Sequence, residues 1–218
     1  YHVLFVGNSL TYKHDIPAII KSMVEADGGY FGYIQQTVGG AYIKDHQYNF
    51  ENYMDTYTFT DVILQGQSFE AVGNYSEFSE YMLKYSNRVK ETSARLHFYQ
   101  TWGYNRVSWN ALIDGVYTPM TQFEMYDLLQ AAYDKIATEA GGSVTRSGEA
   151  FEIYLKEYDL PSLYDDESHQ SIYGAYLSAC CHYAMITGKS PVLNTYVMPG
   201  IDPYVMEIIQ LIAERVCL

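Results

Sequence analysis

The sequence predicts an α/β fold, a mostly parallel five-stranded sheet covered by helices on both faces. Two observations carry that expectation. Short apolar runs of strand length alternate with longer stretches of helical spacing along all 218 residues, the pattern of βαβ crossovers. Small-residue turns close the first strands: Gly7-Asn8-Ser9, then Gly39-Gly40, then Gln65-Gly66-Gln67-Ser68. No internal repeat, low-complexity tract or linker interrupts the alternation. Residues 1–218 are therefore expected to form a single domain.

His2-Val3-Leu4-Phe5-Val6 reads as a buried first strand that stops at Gly7-Asn8-Ser9-Leu10-Thr11. Asp15 is expected as the N-cap, with Pro17 in the first helical turn. Ile16, Ile19, Ile20, Met23 and Val24 then recur at helical spacing until Asp27-Gly28-Gly29. Tyr30 to Val38 is the second strand, and a polar, aromatic-rich stretch through Tyr57 contains a helix. Asp61 to Leu64 is the third strand. Residues 75–93 form a helix on Phe78, Met82 and Val89, and Arg95 to Trp102 is the fourth strand. A loop rich in Asn, Gly and aromatics spans to Pro119. Phe123 to Ala140 is helical, Ser143 to Arg146 is a short fifth strand, and helices follow at 149–158, 171–187 and 204–216.

Composition narrows the function classes. Hydrophobic residues make up 48%, which fits a folded globular chain. A formal charge of −13 offers no basic stripe for nucleic acid and no attraction to an anionic membrane surface. No run reaches the roughly 18 apolar residues of a membrane span. The chain starts at Tyr1, almost directly in a strand, so an upstream segment is expected to have been removed; the compartment is not encoded here. Cys180, Cys181 and Cys217 have no metal or redox spacing and read as buried thiols. Tyrosine, with 24 residues, is the outlier, and its apolar face and polar tip suit contact with sugars as well as packing.

A serine just past the end of a buried strand lies where open α/β sheets bind ligands. Ser9 holds that place, with Gly7 permitting a sharp turn and free backbone N–H groups nearby to meet an oxyanion. The hydroxyl needs a base. Of six histidines, His2 and His97 fall in or beside strands, His14 and His46 in polar surroundings, and His182 inside a helix. None shows His-x-x-x-His spacing with a third ligand, so no metal is expected. His169 is different, because it lies in a loop before a helix with Asp166 three residues ahead. A short Asp-x-x-His loop can set the carboxylate beside one ring nitrogen and leave the other for Ser9; Asp165 is the rival carboxylate.

Taken together, Gly7-Asn8-Ser9-Leu10 at the end of strand one and Asp166-Glu167-Ser168-His169 near the C-terminus resemble the SGNH hydrolase (GDSL esterase/lipase) superfamily. Leu64 to Ser68, Thr101-Trp102-Gly103, Ser168-His169-Gln170-Ser171 and Gly174-Ala175-Tyr176-Leu177 extend the likeness over the whole chain, to a bacterial branch of that superfamily. The resemblance implies a three-layer α/β/α sandwich, similar to flavodoxin, and a cofactor-free serine esterase. Ser9 would be the nucleophile, His169 the base and Asp166 its orienter. The oxyanion would meet the Ser9 and Gly40 backbone N–H groups and the Gln67 amide, with Gly39 the alternative glycine. Two departures stand out: Asn8 replaces the usual Asp, and Gln67 stands where the family has Asn, one methylene longer.

Asn8, Gly39, Trp102 and Tyr104, with Trp109, are the candidate substrate-lining residues. Short-chain esters, above all O-acetyl groups on carbohydrate, are the substrate class that the resemblance favours. A lipase or thioesterase of the same fold and a catalytically silent carbohydrate-binding module are the alternatives. A flavin or nucleotide binder is the third class, but the first turn has neither Gly-x-Gly-x-x-Gly nor a Walker signature.

Overall fold

Both faces of β1 (His2–Gly7) are apolar because both are covered. Val3 and Phe5 enter one core layer, Leu4 and Val6 the other. The computed structural model describes residues 1–218. After β1 the chain runs through α1 (Ser9–Tyr12), α2 (Ile16–Ala26), β2 (Gly32–Thr37), a 3-10 turn (Ile43–His46), α3 (Gln47–Thr56) and β3 (Asp61–Leu64). Next come α4 (Glu70–Gly73), α5 (Tyr75–Lys90), β4 (Arg95–Tyr99), β5 (Trp109–Ile113), β6 (Val116–Met120) and α6 (Gln122–Ala140). The chain ends through β7 (Ser143–Thr145), α7 (Ser147–Glu157), α8 (Ile172–Thr187), a second 3-10 turn (Pro191–Leu193) and α9 (Pro203–Cys217).

Five strands form one parallel sheet in the order β2-β1-β3-β4-β7. Residues of α2, α7, α8 and α9 build the core on one face, and residues of α3, α5 and α6 build it on the other. The expected mostly parallel α/β sandwich is therefore what the chain adopts. No helix is long and apolar enough to cross a membrane. Since β1 lies between β2 and β3, the chain leaves β1 to one side and later returns to the other. The loops after β1 and β3 part at that point, which opens a crevice at the carboxyl ends of the strands.

The opposite end of the sheet carries a structural cluster. Asp61, buried at the start of β3, accepts hydrogen bonds from the Thr60 hydroxyl and pairs with Arg95 at 2.7 Å and His97 at 2.8 Å. His182 is buried against Phe5 and Tyr99, a packed helix residue as its position implied. All three cysteines are free thiols; Cys180 and Cys181 are buried, whereas Cys217 at the C-terminal end of α9 is only partly so.

One expectation needs correction. The segment read as a loop up to Pro119 contains an antiparallel hairpin, β5 paired with β6 in a separate two-stranded sheet. Its turn is Asp114-Gly115, both at positive φ (46° and 82°), the type I′ geometry that suits the twist of a tight hairpin. The fourth strand is also shorter than expected. It ends at Tyr99, and Gln100 to Trp102 continue as irregular chain.

Candidate active site

Ser9, the first residue of α1, stands directly beyond β1, where the crevice opens. Its Oγ lies 2.9 Å from Nε2 of His169. On the far side of the ring, Nδ1 lies 2.8 Å from Oδ2 of Asp166, which fixes the tautomer with Nε2 as acceptor for the serine proton. The same carboxylate accepts the backbone N–H groups of His169 at 2.7 Å and Ser168 at 2.8 Å. Burial opposes its charge, but those N–H groups and the imidazole outweigh burial and hold Asp166 well below the usual carboxylate range. Asp165 faces elsewhere, toward His14 at 2.9 Å and Lys13 at 3.1 Å.

A cavity of about 320 Å³ opens beside this row, and Asn8, Gly40, Gln67, Ser68 and Tyr104 are among the residues that border it. The backbone N–H groups of Ser9 and Gly40 donate to nothing within the protein. The Gln67 amide is held at both ends: its Oε1 accepts the Phe69 N–H at 2.8 Å, and its Nε2 donates to Ser68 Oγ at 2.9 Å. An amide nitrogen carries two protons, so one remains for the cavity. Ser68 Oγ is in turn 2.8 Å from the Tyr104 hydroxyl.

Three buried polar side chains lock the loops that carry these groups. Gln65 bridges the ends of β1 and β3: its Oε1 accepts from Asn8 N–H and the Thr11 hydroxyl, each at 2.9 Å, and its Nε2 donates to Asn8 Oδ1 at 3.0 Å. Gly7 makes room for it, since a Cβ there would sit 2.4 Å from Gln65 Oε1. Glu70, 2% exposed, accepts the Ile43 N–H at 3.1 Å and the Gln67 N–H at 2.8 Å, and so ties the loop after β2 to the loop after β3. Burial pushes its carboxyl above the ordinary range. Gln170 donates to the carbonyls of Leu10 and Lys13, joining the histidine loop to α1.

Sequence reasoning assigned no role to these three. Gln65 and Gln170 lay inside the quoted motifs, and Glu70, one acid before apolar Ala71-Val72, was the only local signal for the third. Arg106 and Glu167, which form an ion pair at the cavity rim, were also missed.

Two expected lining residues lie elsewhere. Trp102 is 1% exposed, stacked on Phe151 at 4.0 Å, with its Nε1 donating to the Ser168 carbonyl at 2.9 Å. It supports the histidine loop from beneath and does not reach the cavity, because the chain after β4 turns inward. Gly39 also lies outside the cavity lining, whereas Gly40 belongs to it. Asn8 borders the cavity, but its amide is engaged with Gln65 and with the Ala41 carbonyl at 3.1 Å.

No family model matches the sequence, and no curated protein matches it. Solved structures do. A DUF4886 family protein from Bacteroides uniformis is 20% identical, with a TM-score of 0.82 over 98% of this chain and 93% of that one. A candidate SGNH hydrolase from Slackia heliotrinireducens is 18% identical, with a TM-score of 0.67 over 84% of this chain and 96% of that one. An acetylxylan esterase from Geobacillus stearothermophilus is 14% identical, with a TM-score of 0.63 over 85% and 94%. At such identities the likeness is one of fold. The fold is that of the SGNH hydrolases.

Proposed function

We propose that this protein is a serine esterase that cleaves short-chain carboxylic esters, with O-acetyl groups on carbohydrate as the favoured substrates. The observation that carries the reading is the 2.9 Å approach of Ser9 Oγ to His169 Nε2, with Asp166 seated on the other ring nitrogen. His169 takes the serine proton as Oγ attacks the ester carbonyl, and Asp166 stabilises the imidazolium that forms. The oxyanion is met by the free N–H groups of Ser9 and Gly40 and the spare proton of Gln67. His169 then protonates the departing alcohol, and water, activated by the same ring, releases the acid from Ser9.

The short acyl group follows from the cavity. Only Leu10 and Tyr104 among its lining residues are hydrophobic, so a long hydrocarbon chain would find little apolar surface there. The solved acetylxylan esterase with the same fold supports acetyl as the acyl group and a sugar as the alcohol.

Labelling with a fluorophosphonate, followed by peptide mass mapping, tests the reading. The expected adduct is on Ser9, with strongly reduced labelling in His169→Ala. A folded protein that leaves Ser9 unmodified would overturn it in favour of the silent binding module.

A further inference from the structure

A second cavity, of about 450 Å³, adjoins the first, and both are bordered by Gln67 and Tyr104. Its walls include the rings of Tyr42, Phe69 and Trp109 beside Tyr104. Three of the rings are neighbours: Phe69 lies 6.3 Å from Tyr104 at an interplanar angle of 27°, and Trp109 lies 5.7 Å from Tyr104. Residues 109–112 of β5 border the cavity consecutively. Successive side chains of a strand point to opposite faces, so it is the strand edge, with its backbone groups, that meets this space. β5 pairs with β6 along one edge, and its other edge has no strand partner. The hairpin is anchored at its tip, where the Asp114 N–H donates to the Gly73 carbonyl at 3.0 Å.

We infer that this second cavity binds sugar units beyond the esterified one, so that the substrate is an O-acylated oligosaccharide held along the β5–β6 hairpin. This inference rests on the esterase reading of the Ser9 cavity. Aromatic faces cover the apolar C–H surface of a pyranose ring, while strand-edge N–H and C=O groups and the Asn110 side chain match its hydroxyls. A neutral chain suits the site, because Glu70 lies within its lining and the protein carries a net charge of −13. Continuity with the Ser9 cavity is what favours a saccharide over an extended peptide, which could also add to a free strand edge.

Calorimetric titration of the Ser9→Ala variant with O-acetylated β-1,4-linked saccharides of one to four units tests the inference without turnover. Affinity should rise about tenfold or more between monomer and tetramer, the scale of a stacked ring. Trp109→Ala in the same background should abolish that rise, and Trp109→Phe should keep most of it. Thermal unfolding checks that each variant is folded, and Tyr117→Ala, on the exposed side of the hairpin, should bind as the parent does. An affinity independent of chain length, or a rise that survives Trp109→Ala, would overturn the inference. So would Trp109-dependent binding of an unstructured peptide in place of the saccharides. Fluorophosphonate labelling separates the two proposals. Labelled Ser9 without chain-length dependence removes the subsite alone; chain-length dependence with unlabelled Ser9 removes the esterase reading and leaves a saccharide-binding cleft.

Discussion

Asn8 and Gln65 hold each other by both ends of their hydrogen-bonding groups. The Asn8 backbone N–H donates to Gln65 Oε1 at 2.9 Å, and Gln65 Nε2 donates to Asn8 Oδ1 at 3.0 Å. Both residues are buried, and the Leu10 N–H also donates to the Asn8 side chain, at 3.1 Å. The turn that presents Ser9 is thereby fixed from β3 rather than by its own short helix.

Replacing Gln65 by Leu keeps the volume roughly constant but orphans the Asn8 N–H and the Thr11 hydroxyl. Each buried group left unpaired costs about 1–3 kcal/mol. The urea unfolding midpoint should fall accordingly, and kcat should drop because Ser9 loses its fixed position. An unchanged midpoint would show that water replaces the amide without loss.

Gln67→Ala removes a donor to the developing oxyanion and should lower kcat by about 10²–10³. The melting temperature should change little, since Gln67 is only half-buried. Gln67→Asn retains the amide on a shorter arm and should fall between the two. Full activity in the alanine variant would remove Gln67 from the oxyanion site.

Glu70 joins the loops of Gly40 and Gln67, and Glu70→Gln keeps its shape while providing one acceptor oxygen in place of two. A kcat about ten- to a hundredfold lower is expected, from small displacements of the oxyanion donors. Stability should respond in the other direction. A buried carboxyl with a raised pKa is favourable to the fold below its unfolded value of about 4.3, and that advantage is lost as pH rises toward the folded value. The melting temperature of the wild type should therefore decline across that window, and the variant should lack the decline. Parallel pH profiles for the two proteins would refute it.

Asp166 has the opposite sign. Its folded pKa is depressed, so its contribution is present above about 3.9 and disappears as pH falls toward the folded value. Asp166→Asn should melt lower than wild type near neutrality, with the gap closing in acid. Its kcat should fall by up to about 10⁴, as the ring loses both its tautomer and its counter-charge. A gap as wide at pH 2 as at neutrality would mean that packing, not charge, links Asp166 to the fold.

Much of the architecture could be read in advance because it depends on local chemistry. Apolar runs of four or five residues, Gly-rich turns and capping residues such as Asp15 and Ser171 mark the elements wherever they fold. The β5–β6 hairpin was signalled by Asp114-Gly115, yet Tyr117 and Val116 are exposed and Pro119 interrupts the pattern. The alternation was too weak to outweigh a loop rich in Asn and Gly. Trp102 was misplaced because its sequence neighbours belong to a motif, while its side chain stacks on Phe151, 49 residues later in the chain.

The sequence by itself determined the parallel α/β alternation and put a serine, an amide and an Asp-x-x-His loop at the ends of elements. Those are local matters of period and turn chemistry. Only the tertiary structure decided that Gln65, Glu70 and Gln170 bind the site's loops together. It alone opened a second, aromatic-walled cavity beside the first. Such decisions depend on which loops the sheet order brings together: residues 160 positions apart meet because β1 lies between β2 and β3, and no residue type in isolation encodes its partner across that distance.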